Sequence, residues 1–179
     1  MGELHHRMKS RRIGFLVALI VFAIDQLVKW VVTHPLGLNR MGDQLTLLPF
    51  FNFTYTENEG ISLGLLNATN PIGRWMLVGL TSAIAVAVAV WIGREKNRID
   101  QVALGMVLGG ALGNILDRTL HGYVVDFLDL HFGEWRPFLV FNVGDAAISI
   151  AVVILLLRAF LARKDHREGP DPREKIEHA

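Results

Sequence analysis

Four stretches of this chain are apolar almost throughout, without the regular polar positions of a surface helix. They cover residues 13–32, 75–92, 99–116 and 138–161. Each is close to the ~20 helical residues that cross the hydrocarbon of a bilayer, and 75–92 contains no charge at all. In hydrocarbon a helix satisfies its own backbone hydrogen bonds segment by segment. The predicted fold is therefore an all-α membrane protein, a bundle of four transmembrane helices. The period changes in the first long loop, where Phe51, Phe53 and Tyr55 alternate with Asn52, Thr54 and Thr56 after an interruption at Pro49. That alternation predicts a small extracytoplasmic β-sheet in this loop, with its aromatics at headgroup level.

Charge gives these spans an orientation. Arg7, Lys9, Arg11 and Arg12 precede the first span, and Arg94, Lys96 and Arg98 separate the second from the third. Arg163, Lys164, Arg167, Arg173 and Lys175 follow the fourth. Residues 34–73 hold one basic residue, Arg40, and residues 119–137 hold one, Arg136. By the positive-inside rule both termini are cytoplasmic and both long loops lie outside. The first apolar run continues into Asp25-Gln26-Leu27-Val28-Lys29 with no small-residue cleavage site, so it reads as a retained helix and not a signal peptide. Residues 1–162 form one membrane domain. Residues 163–179, charged and carrying Gly169, Pro170 and Pro172, read as a disordered cytoplasmic tail.

Composition narrows the chemistry. The chain has 179 residues, 51% of them apolar, and a formal net charge of +1, which gives no basis for nucleic-acid binding. It has no cysteine, which excludes disulfides, thiolate catalysis and cysteine metal sites. No His-Glu-x-x-His, Gly-x-Ser-x-Gly or phosphate-binding Gly-rich motif occurs.

Polar residues inside a bilayer are costly unless paired, so their positions carry information. Asp25 and Lys29 are four apart on one helix face, suited either to a local ion pair or to a substrate role. Asn114, Asp117 and Arg118 cluster at the outer end of the third span, as an interfacial charge group or as part of a site. Before them Gly105, Gly109 and Gly113 repeat every four residues, a pattern for close helix packing. Asp126 and Asp145 each stand among apolar neighbours at the same expected depth, Asp145 sharing a helix face with Asn142.

A lone buried aspartate serves as a proton relay or a helix-pairing group; two at one depth suggest a dyad. Peptide hydrolysis by carboxylates needs one ionised group to deprotonate water and one protonated group to polarise the carbonyl. Close carboxylates in a low dielectric share a proton and titrate as a pair. Two other readings stay open on the residues alone. One is a small transporter using Asp25, Lys29, Asp126 and Asp145 as an ion path, although no paired halves are evident. The other is a scaffold packed along the glycine face.

Four stretches taken together resemble the lipoprotein signal peptidase (signal peptidase II) family. They are Asp25-Gln26-Leu27-Val28-Lys29, Asn58-Glu59-Gly60, residues 109–118 continuing to Val125-Asp126-Phe127, and Phe141-Asn142-Val143-Gly144-Asp145-Ala146-Ala147-Ile148. The resemblance implies a bacterial inner-membrane aspartic endopeptidase. Such an enzyme removes signal peptides from prolipoproteins by cutting before a diacylglyceryl-modified cysteine, with its active site toward the periplasmic face. It implies Asp126 and Asp145 as the catalytic pair, and Asp25, Lys29, Asn58, Gly60, Asn114, Arg118 and Asn142 as substrate-binding or site-supporting residues. It also implies no metal or organic cofactor, sensitivity to the cyclic peptide globomycin, membrane lipids as surroundings, and a monomer. The sequence departs from the family pattern at Ile61, Ser62 and Leu63, where two small residues and Phe are usual, and at Gly144, where Ala is usual. These departures bear on specificity and leave every proposed catalytic group in place.

Overall fold

A computed structural model describes residues 2–61, 66–67 and 71–167, with side chains over 13–60 and 71–162. Helix α1 spans Gly2–Thr33. In the loop that follows, strands β1 (Gln44–Leu48) and β2 (Phe51–Asn58) precede the short strands β3 (Gly60–Ile61) and β4 (Leu66–Asn67). Helices α2 (Pro71–Arg94) and α3 (Arg98–Leu120) lead to strand β5 (Val124–Leu130) and helix α4 (Val143–Arg167). Four of these segments, Ile13–Thr33, Pro71–Arg94, Arg98–Leu120 and Val143–Ala162, are long and apolar enough to cross a membrane.

The burial pattern is inverted relative to a water-soluble bundle. Leu16, Leu19, Met76, Leu80, Val86, Leu156, Leu157 and Phe160 are exposed, whereas Asp25, Lys29, Gln101, Asp117, Asp126 and Asn142 are buried. Lipid, not water, suits the outer surface, and the polar groups satisfy one another inside.

Helix α3 is the central element, packed against α1, α2 and α4. Its glycines make this possible. A Cβ at Gly109 would stand 2.5 Å from the Ala18 carbonyl oxygen, and one at Gly105 would strike the Gly14 carbonyl, so α1 lies directly on this face. On another face, a Cβ at Gly110 would strike the Gly144 carbonyl at the start of α4. A side chain at Gly144 would in turn crowd the Gly110 backbone at 3.0 Å. The Gly144 departure therefore sits at a close α3–α4 crossing. At the opposite end, Asn97 caps α3 by accepting from the Ile99 and Asp100 amides.

The first two strands follow the sequence pattern. Strands β1 and β2 form an antiparallel hairpin turned at Pro49-Phe50, pairing Leu45 with Phe53 and Thr46 with Asn52. The third strand of this sheet comes from the connection between α3 and α4: β5 pairs antiparallel with β2, in the order β1-β2-β5. Val32, Leu38, Tyr55, Val125 and Phe127 form an apolar cluster that seats the sheet on one end of the bundle.

The fourth helix differs from its expected span at both ends. It begins at Val143 and not at 138, because Phe141 exchanges backbone hydrogen bonds with Leu128 of β5. It continues to Arg167, so residues 163–167, read from sequence as tail, are helical. Residues 168–179 lie outside the described residues, as do Ser62 and Leu63.

Candidate active site

The start of α4 places the first aspartate. Asn142 caps the helix: its Oδ1 accepts from the Asp145 amide at 2.8 Å, and Asp145 Oδ2 accepts from the Asn142 amide at 3.3 Å. This reciprocal arrangement is a capping box, with Asp145 in the third helical position. It fixes the carboxylate at the positive end of the helix dipole. Asp145 Oδ1 accepts a further hydrogen bond from Asn114 Nδ2 of α3 at 2.8 Å.

Strand β5 places the second. Asp126 pairs with Thr56 in the ladder and is 1% exposed. Its Oδ1 accepts from Asn142 Nδ2 at 2.7 Å and its Oδ2 from Asn58 Nδ2 at 2.9 Å. Asn142 Nδ2 also donates to Asn114 Oδ1 at 3.1 Å. Asn142 thus touches Asp126 with its side chain and holds Asp145 through the cap. Its own donors and acceptor are all engaged.

The Asn58-Glu59-Gly60 motif has a backbone explanation. Asn58 Oδ1 accepts from the Gly60 amide at 3.0 Å, a local turn that aims the Asn58 Nδ2 at Asp126. Gly60 has φ +112, a conformation that favours glycine. Its contribution is made through the backbone.

Beneath the dyad lies a buried ion group. Lys29 Nζ pairs with Asp25 Oδ2 at 2.7 Å and with Asp117 Oδ2 at 2.8 Å, and reaches Asn114 Oδ1 at 3.4 Å. Gln26 Nε2 donates to Asp117 Oδ1 at 3.0 Å. Arg118 interacts electrostatically with Asp145, Asp126 and Asp117, and its buried Nε has no hydrogen-bond partner among the described residues.

The two carboxylates differ in setting. Asp126 is buried and Asp145 half-buried. Burial pushes the Asp126 carboxyl up to about 7, and the charge of Asp145 adds to the rise. Hydrogen bonds from Asn58 and Asn142 and the charge of Lys29 act in the opposite direction and are outweighed. A buried acid held near neutrality beside a more accessible carboxylate is the division of labour that acid–base hydrolysis needs. Among the described residues no group of three or more His, Cys, Asp or Glu could hold a metal ion.

The structure gathers Asp25, Lys29, Asn58, Gly60, Asn114, Arg118, Asp126, Asn142 and Asp145 around one centre. The sequence left Asp117 open between an interfacial charge and a site residue, and the structure joins it to Lys29 of α1 and to the Val125 amide. It lies three residues after Asn114, on the face that meets α1. The sequence reading missed β5. The β-branched pair Val124-Val125, followed by Leu128-Asp129-Leu130, carries a strand signal.

The chain is similar to known proteins over most of its length. Residues 17–161 match the family model described as signal peptidase (SPase) II. The chain is 52% identical over 158 residues to a lipoprotein signal peptidase of Rhizorhabdus wittichii, covering 88% of this chain and 91% of that one. It is 51% identical over 150 residues to a lipoprotein signal peptidase of Sphingopyxis alaskensis, covering 84% and 86%. A solved bacterial membrane enzyme superposes with a TM-score of 0.73 at 28% identity, covering 88% of this chain and 93% of that one.

Proposed function

Because this chain belongs to the signal peptidase II family, we propose that its Asp126 and Asp145 are the catalytic pair of an aspartic endopeptidase acting on lipoprotein precursors. The protein is a multi-pass membrane protease of prolipoprotein processing. The observation that carries the aspartic reading is the network Asn58–Asp126–Asn142–Asp145. It holds two carboxylates, one buried and one accessible, through a shared asparagine.

Asp145, the more accessible carboxylate, takes a proton from the attacking water. Asp126, the acid that burial keeps protonated near neutrality, donates a hydrogen bond to the scissile carbonyl. As the tetrahedral intermediate collapses, the proton held by Asp145 passes to the leaving amine. Arg118, whose charge interacts with Asp145 and Asp126, supports the pair electrostatically.

The substrate is a diacylglyceryl-modified prolipoprotein cut before its lipidated cysteine. Such a helix presents its scissile bond near a membrane interface, and a pair held between the sheet and the ends of the helices suits a bond at that depth. The basic residues flanking α1, α2, α3 and α4 at their shared end support termini on the cytoplasmic side of the inner membrane and an active site toward the periplasm. The dyad and its hydrogen-bond partners come from one chain, as a monomeric enzyme requires. Globomycin, a cyclic peptide, is the expected class of inhibitor, and no cofactor enters the scheme.

The test is cleavage of a diacylglyceryl-modified prolipoprotein by the purified protein in detergent, beside Asp126→Asn, Asp145→Asn and the outer-loop control Asp43→Asn. Cleavage lost in the first two and kept in the control is expected. Cleavage that persists in either dyad variant overturns the mechanism.

A further inference from the structure

Two buried carboxylates outside the dyad make the same kind of contact. Asp25 Oδ1 accepts from the backbone amide of Gly144 at 2.8 Å, and Asp117 Oδ2 accepts from the backbone amide of Val125 at 3.1 Å. Gly144 directly precedes Asp145, and Val125 directly precedes Asp126. One ammonium, that of Lys29, lies between the two carboxylates, 2.7 Å from Asp25 and 2.8 Å from Asp117. Each member of the dyad is therefore held by the residue before it, and both holds meet at one side chain of α1.

We propose that Asp25, Lys29 and Asp117 form a clamp that fixes the separation of the two catalytic carboxylates, which makes Lys29 and Asp117 positioning residues for peptide hydrolysis. The proposal rests on the reading of Asp126 and Asp145 as the dyad.

Three physical points support it. First, the clamp answers a need of the backbone. Gly144 lies in the first turn of α4, where amides lack an intrahelical partner, and Asp25 supplies one from another helix. Second, stability alone does not call for ions here. Asp25, Lys29 and Asp117 are 0%, 4% and 2% exposed, and buried ion groups can often be replaced by apolar ones at no loss of stability. What apolar side chains cannot do is accept from two backbone amides and join the acceptors through a common donor. Third, the group is nearly saturated. Gln26 donates to Asp117 Oδ1, and a Cβ at Gly113 would strike Asp25 Oδ2, so the carboxylates have little room to move. Lys29 also reaches Asn114, which donates to Asp145, and this adds a second route from the clamp to the dyad.

The test uses the full chain and a diacylglyceryl-modified prolipoprotein, with kcat and KM measured separately and normalised to folded protein by thermal unfolding. Asp117→Asn and Asp117→Leu both lose the ion pair, but only the asparagine keeps an oxygen for the Val125 amide. Lys29→Met keeps both amide contacts and removes the link between them. We expect kcat about 10²-fold lower in Lys29→Met and Asp117→Leu with KM within about twofold, and Asp117→Asn at least about tenfold faster than Asp117→Leu. Unchanged kcat in Lys29→Met, or equal rates for the asparagine and leucine variants, overturns the clamp. If Asp117→Leu does not fold, Lys29→Met decides, and full kcat there overturns the clamp. Asp126→Asn, run alongside, separates the two ideas. Residual cleavage there sinks the dyad itself, whereas an inactive Asp126→Asn beside a fully active Lys29→Met sinks only the clamp.

Discussion

Asn142 donates from its side chain to Asp126 Oδ1 at 2.7 Å, while its own Oδ1 accepts the Asp145 amide at 2.8 Å. One residue thus ends a loop, starts a helix and touches both carboxylates. The two contacts are separable by mutation. Asn142→Ser keeps a capping oxygen, so its thermal midpoint should stay near wild type, yet its side chain is too short to reach Asp126, and kcat should fall about 10²-fold. Asn142→Ala should lose the same activity and about 1 kcal/mol of stability besides. Thermal unfolding and cleavage kinetics of the two variants check this; an active Asn142→Ser would show that the contact to Asp126 is dispensable.

The pH dependence follows from Asp126. Its carboxyl is raised from the ordinary 3.8 to about 7, chiefly by burial and then by the charge of Asp145. Because the proposed acid must carry its proton, kcat/KM should decline above pH about 7. Stability has the same sign. The folded state binds this proton more tightly than the unfolded chain, so its contribution is complete below the unfolded value of 3.8 and is lost as pH rises through about 7. Rate profiles from pH 5 to 9 would reveal the limb, and a rate that keeps rising through pH 9 would contradict it.

Gly60 should be intolerant of a side chain for a reason of backbone shape. At φ +112 an alanine is strained by about 1–3 kcal/mol, and relief of that strain would pull the amide away from Asn58 Oδ1. Gly60→Ala should therefore lower kcat/KM about 10- to 100-fold. Gly133→Ala, also at positive φ (+62) but with nothing within 4 Å of its Cβ, is the control and should keep its activity.

Two helical glycines should respond in opposite ways. A methyl at Gly113 would strike the Asp25 carboxylate, whereas one at Gly79 meets nothing within 4 Å. Gly113→Ala should lower both the thermal midpoint and kcat. Gly79→Ala should leave both unchanged or raise the midpoint slightly, since alanine is the better helix former. Equal behaviour of the pair in thermal unfolding would show that α1 does not lie on α3 as described.

Much of this molecule could be read from its sequence because the bilayer imposes simple rules. Uninterrupted apolar length marks the spans, and a carboxylate among apolar neighbours stands out. The alternation of Phe51, Phe53 and Tyr55 announced a strand, and Asp126 and Asp145 declared themselves as expensive residues in the wrong solvent. These signals are local: each is complete within a few turns of chain.

The tertiary structure decided what depends on distant residues meeting. Strand β5 forms because β2 offers it an edge, and α4 starts at Val143 because Phe141 is taken up by Leu128. Asp117 becomes part of the site only once α1 brings Lys29 against it, 88 positions away in the chain, as 117 − 29 gives. The sequence determined which groups had to be paired, since burying a charge or an amide unpaired is too costly. It could not determine which partner each would find, because that is set by the close approach of α3 to α1 and α4 across glycines whose effect is to let other residues touch.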